Sequence, residues 1–100
     1  ALFSFNGEGR VENTYTLKVA NMSEVPQTFT ISVSGLEGIR LLTENTLTVA
    51  SSENRALPTV VDVAPEKLSE SNNAIVFTLE SQSDESLVLE TESRFVGPNR

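Results

Sequence analysis

The chain has 100 residues, 38% of them hydrophobic, and its seven basic and 14 acidic side chains give a net charge of −7. This size and hydrophobic content suffice for one core, so we predict a single domain over residues 1–100. The acidic balance argues against nucleic acid and against an anionic membrane surface as partners, because both require clustered Lys and Arg. Cys and His are absent, which excludes disulfides, Ser-His or Cys-His nucleophiles and soft-ligand metal sites.

The clearest pattern lies in residues 13–36. Apolar and polar residues alternate over residues 15–20 and again over residues 28–33, which is typical of strands with one buried face. The inward residues are Tyr15, Leu17 and Val19 in the first strand and Phe29, Ile31 and Val33 in the second. With a polar break at residues 21–26 between them, we predict a hairpin whose apolar face a second sheet or a helix must cover.

Further short strands follow from the same alternation and from the turn residues that separate them. They span residues 2–5, 39–42, 46–49, 57–63, 74–79 and 86–95. Within residues 57–63, Asp62 falls on the face opposite Val61, and Pro58 indicates a strand start or an edge because it cannot donate a ladder hydrogen bond. The pattern predicts an all-β sandwich of seven or eight antiparallel strands with Greek-key wiring.

Two connections are expected to contribute to the core. Leu36 lies between two glycines in a turn and is predicted to reach inward from it. Pro65 fits the first position of a short helical turn, with an acidic residue behind it, and Leu68 is expected to pack beneath. This turn would carry the chain from one sheet to the other.

Paired carboxylates are the remaining candidates for acid–base chemistry or calcium binding. The candidate pairs are Asp84 with Glu85, Glu90 with Glu92, and Glu66 with Glu70. Glu90 and Glu92 lie on the same face of their predicted strand, about 7 Å apart. Leu87 and Leu89 lie on the other, inward face, so the two glutamates are expected on a solvated face. No EF-hand loop pattern is present, and a looser calcium site remains an alternative. We therefore predict no catalytic, cofactor-binding or metal-binding residue, and no enzyme activity within this chain.

For three side chains in or next to the predicted strand at residues 15–20, the sequence allows more specific predictions. Met22, the one sulfur-bearing residue, is predicted to plug the strand end; alternatively it is one ligand of a copper(I) site that needs further ligands. Asn21 begins a glycosylation acceptor pattern, a three-residue match that is common by chance. Tyr15 belongs to the inward set, and its hydroxyl is expected to reach a backbone carbonyl at the core edge.

Two stretches, ENTYTLKVANM at residues 12–22 and FTISVSGLEG at residues 29–38, resemble the carboxy-terminal domain of the FixG/CcoG family. The likeness continues through residues 58–63, residues 75–77 and the closing SRFVGP at residues 93–98, so it covers nearly the whole chain. These are bacterial accessory proteins for assembly of the cbb-type cytochrome c oxidase. The resemblance implies an immunoglobulin-like domain appended to such a protein.

The same resemblance implies a parent membrane protein with several spans and an iron–sulfur portion that carries 4Fe–4S clusters. The activity that it implies for the parent is reduction of copper(II) to copper(I). The cluster cysteines of that family have no counterpart here, so no redox residue is carried over. The chain begins at Ala1 rather than at a methionine, and we expect a piece of that longer protein. The resemblance implies a position on the periplasmic side of the bacterial inner membrane, tethered through the parent, which would be an oxidoreductase.

Three hypotheses for function follow. In the first, the domain is a non-catalytic module that docks a protein such as a copper chaperone, an oxidase subunit or its parent's own membrane part, or that stabilises the parent. The candidate contacts are the loops at residues 21–26, 35–38 and 81–85, with no nucleic acid and no direct membrane insertion. In the second, Met22 and carboxylates handle copper(I) directly. In the third, the chain is an unrelated adhesin-like, ligand-binding sandwich.

Overall fold

A computed structural model describes residues 2–98 of the chain. The strands are β1 Ser4–Phe5, β2 Val11–Ala20, β3 Gln27–Ser34, β4 Arg40–Leu41, β5 Thr46–Val49, β6 Asn54–Val63, β7 Asn72–Ser81 and β8 Val88–Val96, with a 3₁₀ helix at Pro65–Lys67 before β7. They form two antiparallel four-stranded sheets, in the orders β1-β2-β6-β4 and β5-β3-β7-β8. The predicted all-β sandwich is confirmed.

The core lies between the two sheets and consists of the inward residues of each strand. Its fully or nearly fully buried members include Leu17, Val19, Phe29, Ile31, Leu47, Val49, Val61, Val63, Leu68, Ile75, Phe77, Leu79 and Phe95. Tyr15 from one sheet packs edge-on against Phe77 from the other, with ring centroids 5.0 Å apart. Period-2 alternation therefore identified the buried face of each long strand correctly.

The predicted hairpin of residues 13–36 is wrong. β2 pairs with β6 along its whole length, from Val11 opposite Val63 to Ala20 opposite Asn54, whereas β3 pairs with β5 and β7. After β2 the chain crosses to the other sheet, so the apolar faces of β2 and β3 meet across the core instead of lying side by side. Such crossing connections are characteristic of Greek-key sandwiches.

The molecule is elongated, 48 Å along its longest axis and 21 and 19 Å across, so it has two distinct ends. We call one end the tip; it carries the loops at residues 21–26, 50–53 and 82–87. The other, the base, carries the loops at residues 6–10, 35–39 and 64–71. Backbone bonds from Asn21 to Glu53 at the tip and from Gly97 to Ser71 at the base help to close the two ends.

Local details follow from backbone requirements. β6 begins at Asn54, three residues before the predicted start at residue 57. Pro58 lies opposite Thr16 of β2, and its missing N–H faces the side of β6 that short β4 leaves open, as expected for proline on an edge. Gly35 has a φ of +120°, and a Cβ there would lie 2.8 Å from the Ala74 carbonyl oxygen, so only glycine fits.

The two connecting elements behave as predicted. Leu68 is fully buried beneath the 3₁₀ helix that Pro65 begins, and Leu36 is half-buried against the core. Residues 2–5 contribute the short edge strand β1, beside the start of β2. Residues 2–98 contain no helix of the length and hydrophobicity that a membrane crossing requires.

Candidate functional site

The tip loop is organised by the side chain of Asn21, which is 2% exposed. Its Nδ2 donates toward the carbonyl oxygens of Val25 at 2.9 Å, Val49 at 3.0 Å and Ala50 at 3.2 Å. Its Oδ1 accepts from the backbone N–H of Ser23 at 2.9 Å and lies 2.7 Å from the Ser23 hydroxyl. An asparagine used in this way fixes the loop and directs the chain from one sheet to the other. It also leaves no free amide for the glycosylation that the acceptor pattern suggested.

Met22 and Val25 point into water from this fixed loop. Their side chains are 89% and 56% exposed, so the prediction that Met22 plugs the strand end is wrong. The physical reason is that the Asn21 amide already occupies the strand end and turns the next residue outward. Ser51 adds a further restraint, donating its hydroxyl to the Ser23 carbonyl at 2.8 Å. The loop therefore displays two apolar side chains on an ordered backbone.

Gln27 connects the first tip loop to the predicted contact loop at residues 81–85. Its amide Nε2 donates to the Ser23 hydroxyl at 3.3 Å, and its Oε1 accepts from the Ser81 hydroxyl at 2.6 Å. The structure thus brings two of the three predicted contact loops to one end. The third, at residues 35–38, lies at the base, where the Arg10 side chain donates to the Gly38 carbonyl at 2.9 Å.

The tip is acidic as well as apolar. Its loops contain Glu24, Glu53, Asp84 and Glu85 and no Lys or Arg. Hydrogen bonds from the Ser86 hydroxyl and the Ser86 backbone N–H lower the pKa of Asp84, so this carboxylate remains charged. The exposed Met22 and Val25 are therefore accompanied by negative charge.

At the base, a cluster of polar side chains surrounds Asp62, which is fully buried. Arg40 donates to both carboxylate oxygens, at 2.9 and 2.7 Å, and Asn6 Nδ2 donates to Oδ2 at 2.9 Å. Arg10 Nε lies 3.0 Å from Oδ1 as an ion pair, although the geometry is not that of a hydrogen bond. The Arg40 hydrogen bonds above all, with help from Arg10 and Asn6, lower the pKa of Asp62 against the opposing effect of burial.

Alternation over residues 59–63 assigns Asp62 to the correct strand face but does not indicate that it is buried. The loop between β1 and β2 folds over this face, so a residue expected opposite the core is enclosed by Asn6 and Arg10. A signal was present in the sequence, because Asp62 is a single charge within Val60-Val61-Asp62-Val63. A charge in an apolar run indicates a paired, buried group.

Tyr15 and Asn13 join β2 to the outer edge of β8. The Tyr15 hydroxyl donates to the Arg94 carbonyl at 2.9 Å, as predicted. Partial burial raises the pKa of Tyr15 to about 12. The Asn13 side chain both donates to the Val96 carbonyl and accepts from the Val96 N–H, each at 2.8 Å. These contacts close one half of the flank between the sheets.

The candidate carboxylate pairs lie in three separate places. Glu90 and Glu92 are exposed on β8, as predicted for a solvated face. Asp84, Glu85 and Glu70 are exposed in loops, and Glu66 is exposed in the 3₁₀ helix. Within residues 2–98, no group of three or more His, Cys, Asp or Glu is arranged to hold a metal ion. The expectation of no catalytic or ligand residue stays a prediction.

The paired sheets and their crossing connections define an immunoglobulin-like sandwich with ordered loops at both ends. A family model described as "IG-like fold at C-terminal of FixG, putative oxidoreductase" matches residues 1–98, and the chain belongs to this family. The resemblance to FixG is thereby confirmed, and the alternative of an unrelated adhesin-like sandwich is set aside.

Two solved structures are similar to the chain. A FixG-related protein from Vibrio parahaemolyticus is 37% identical, with a TM-score of 0.81, over 89% of this chain and 81% of that one. SSP-19, an MSP-domain protein like family member from Caenorhabditis elegans, is 13% identical, with a TM-score of 0.55, over 86% of this chain and 88% of that one. The second likeness shows the fold alone. No match was found among curated protein sequences.

Proposed function

We propose that this domain is a non-catalytic docking module of a membrane-anchored, iron–sulfur copper reductase that serves assembly of the cbb-type cytochrome c oxidase. Electron transfer and copper chemistry belong to the parent protein, and this domain contacts the partner. The domain lies in the periplasm, tethered to the inner membrane through the parent. Family membership supports the parent, and the apolar tip supports the docking role.

The observation that carries the docking role is the fixed display of Met22 and Val25. Exposed apolar side chains on an ordered backbone favour binding, because little conformational entropy is lost when a partner covers them. The opposite half of the molecule holds both ends of the described chain, where Leu2 and Phe3 lie beside Val96 and Gly97. A parent joined there would hold the tip away from the tether.

The tip also defines the chemistry of its partner. Methionine adapts its shape to irregular apolar surfaces, and the acidic residues of the tip favour a surface of opposite charge. We therefore expect a protein partner with an apolar depression bordered by Lys or Arg. A copper chaperone or an oxidase subunit with such a patch fits the proposed parent.

The test replaces Met22 and Val25 by serine in the full-length parent. The expected result is loss of cbb-type oxidase activity with unchanged parent abundance and iron–sulfur content, because only the contact surface changes. Leu42→Ser is the matched control, since Leu42 is 42% exposed but lies outside the tip. Normal oxidase assembly in the Met22→Ser/Val25→Ser protein would contradict docking through the tip.

Deletion of residues 1–100 from the parent tests the proposal more broadly. The docking module predicts impaired oxidase assembly with intact cluster binding. Copper(I) titration of the chain under reducing conditions separates docking from direct copper handling. Micromolar or tighter binding that Met22→Ser abolishes would favour the copper-handling alternative.

A further inference from the structure

One flank of the sandwich is open between the edges of β2 and β8. β1 covers only the start of β2, at Val11 and Glu12, and β8 is the last strand of its sheet. Between these two edges lies a cleft of about 320 Å³, lined by residues 16–20 with Leu79, Leu89 and Thr91. The closed half of the same flank is the part bridged by Asn13 and Tyr15.

The hydrogen-bond parity of β8 shows which backbone groups face this flank. Just beyond the two ends of β8, the Leu87 carbonyl accepts from the Ser81 N–H, and the Gly97 N–H donates to the Ser71 carbonyl. The register between these two bonds is continuous, so the odd-numbered residues of β8 direct their N–H and C=O groups toward β7. The even-numbered residues therefore direct N–H and C=O outward. Side chains of β2 form hydrogen bonds with the backbone N–H and carbonyl of Val96 and with the backbone carbonyl of Arg94. Within residues 2–98 nothing bonds the outward groups of Glu90 and Glu92.

The side chains along this free segment alternate in chemistry. Glu90 and Glu92 stand on the outer, solvated face of the sheet, whereas Leu89 and Thr91 face the cleft. A strand added beside β8 would place every second side chain next to the two carboxylates and the intervening ones over the cleft. Cross-strand pairing favours opposite charge in the first set and apolar residues in the second.

We propose that the free half of the β8 edge, at residues 88–92, binds an extended protein segment that alternates basic with apolar residues. The segment adds as a fifth strand to this sheet, with its main-chain hydrogen bonds on Glu90 and Glu92. Lys or Arg side chains of the segment pair with the two carboxylates, and its apolar side chains cover Leu89. This surface is separate from the tip.

The test uses a ten-residue peptide that alternates Lys with Val, added to the isotope-labelled chain. The expected result is saturable binding with slowed amide exchange at Glu90 and Glu92, because their outward N–H groups become bonded. A peptide alternating Glu with Val should bind at least tenfold more weakly. Absence of binding by the Lys–Val peptide would mean that the carboxylates only protect an exposed edge from pairing, and the proposal would be wrong.

Charge reversal separates edge binding from general attraction to an acidic protein. Glu90→Lys/Glu92→Lys should weaken Lys–Val peptide binding at least tenfold, whereas Glu66→Lys/Glu70→Lys changes the net charge equally and should leave it intact. Equal loss in both variants would contradict the edge site. The Met22→Ser/Val25→Ser protein should bind the peptide normally, so failure at the edge and failure at the tip are distinguishable.

Discussion

Each end of this sandwich carries a hydrogen-bond network, but one network buries a charged side chain and the other leaves an apolar side chain exposed. At the base, Arg10, Arg40 and Asn6 converge on the buried carboxylate of Asp62. At the tip, the buried amide of Asn21 binds backbone carbonyls and leaves Met22 exposed to water. The base network encloses a charge, whereas the tip network displays an apolar side chain.

Hydrogen-bond order at one end of the sandwich therefore does not by itself indicate a function there. Enclosing Asp62 ties the loop between β1 and β2 to β4 and β6, a role that the fold itself explains. Exposure of Met22 does not stabilise the isolated domain, because an exposed apolar side chain contributes no free energy of burial. Substitutions at the two ends should therefore separate stability from binding.

The largest effect on stability is expected from Asp62→Ala. Removing the carboxylate leaves Arg10 and Arg40 without their shared partner, which should lower the free energy of unfolding by on the order of 3 kcal/mol. Urea denaturation followed by circular dichroism measures this change. The exposed Glu44 is the matched control, and Glu44→Ala should have little effect. Equal stability of the two variants would contradict a stabilising role for the base network.

Asn21→Ala should have the next largest effect. The substitution leaves the carbonyls of Val25, Val49 and Ala50 without their side-chain donor, which should cost about 2 kcal/mol. It should also release the tip loop, so that partner docking fails although Met22 is retained. Asn45→Ala provides the control, because Asn45 is exposed and its side chain bonds nothing within residues 2–98. Docking by the Asn21→Ala protein at wild-type strength would show that loop order is not required.

Acid should remove part of the Asp62 contribution. The pKa of Asp62 is lowered in the folded state, so the unfolded chain binds the proton first as the pH falls. The stabilisation is therefore complete above the ordinary Asp pKa of about 3.9, and is lost as the pH falls below that value and through the lowered folded pKa. Urea midpoints measured from pH 6 to pH 2 should converge for wild type and Asp62→Ala. A constant gap over that range would contradict the ionised cluster.

The smallest effect on stability is expected from Met22→Ser. The side chain is 89% exposed, so the free energy of unfolding should change by less than about 0.5 kcal/mol. Thermal melts of the chain measure this directly. A clear destabilisation would mean that Met22 packs within the fold and is not held for a partner.

The sequence predicted most of the strands because alternation reveals which side chains are buried. Leu47 and Val49 of β5, for example, are inward as predicted. Alternation does not reveal which strands are neighbours. β2 and β3 bury the same residues whether they pair side by side or face each other, so the hairpin could not be excluded.

The site was predicted less completely than the fold. Two of the three proposed contact loops meet at the tip, but Met22 was predicted to point inward and instead points into water. Apolar residues are usually buried, yet much of any protein surface is apolar, so hydrophobicity alone does not place one residue inside. The deciding contacts join Asn21 to Val49 and Ala50, far along the chain, and no local pattern encodes them.

Docking through the tip requires that its first loop holds Met22 and Val25 on an ordered backbone before any partner binds. The most direct test is the backbone order parameter of residues 21–25, measured by nitrogen-15 relaxation on the free chain. We expect values of about 0.85, the level of rigid backbone, in wild type and a fall below about 0.6 in Asn21→Ala. Values below about 0.6 in the wild-type chain would contradict the preformed docking loop.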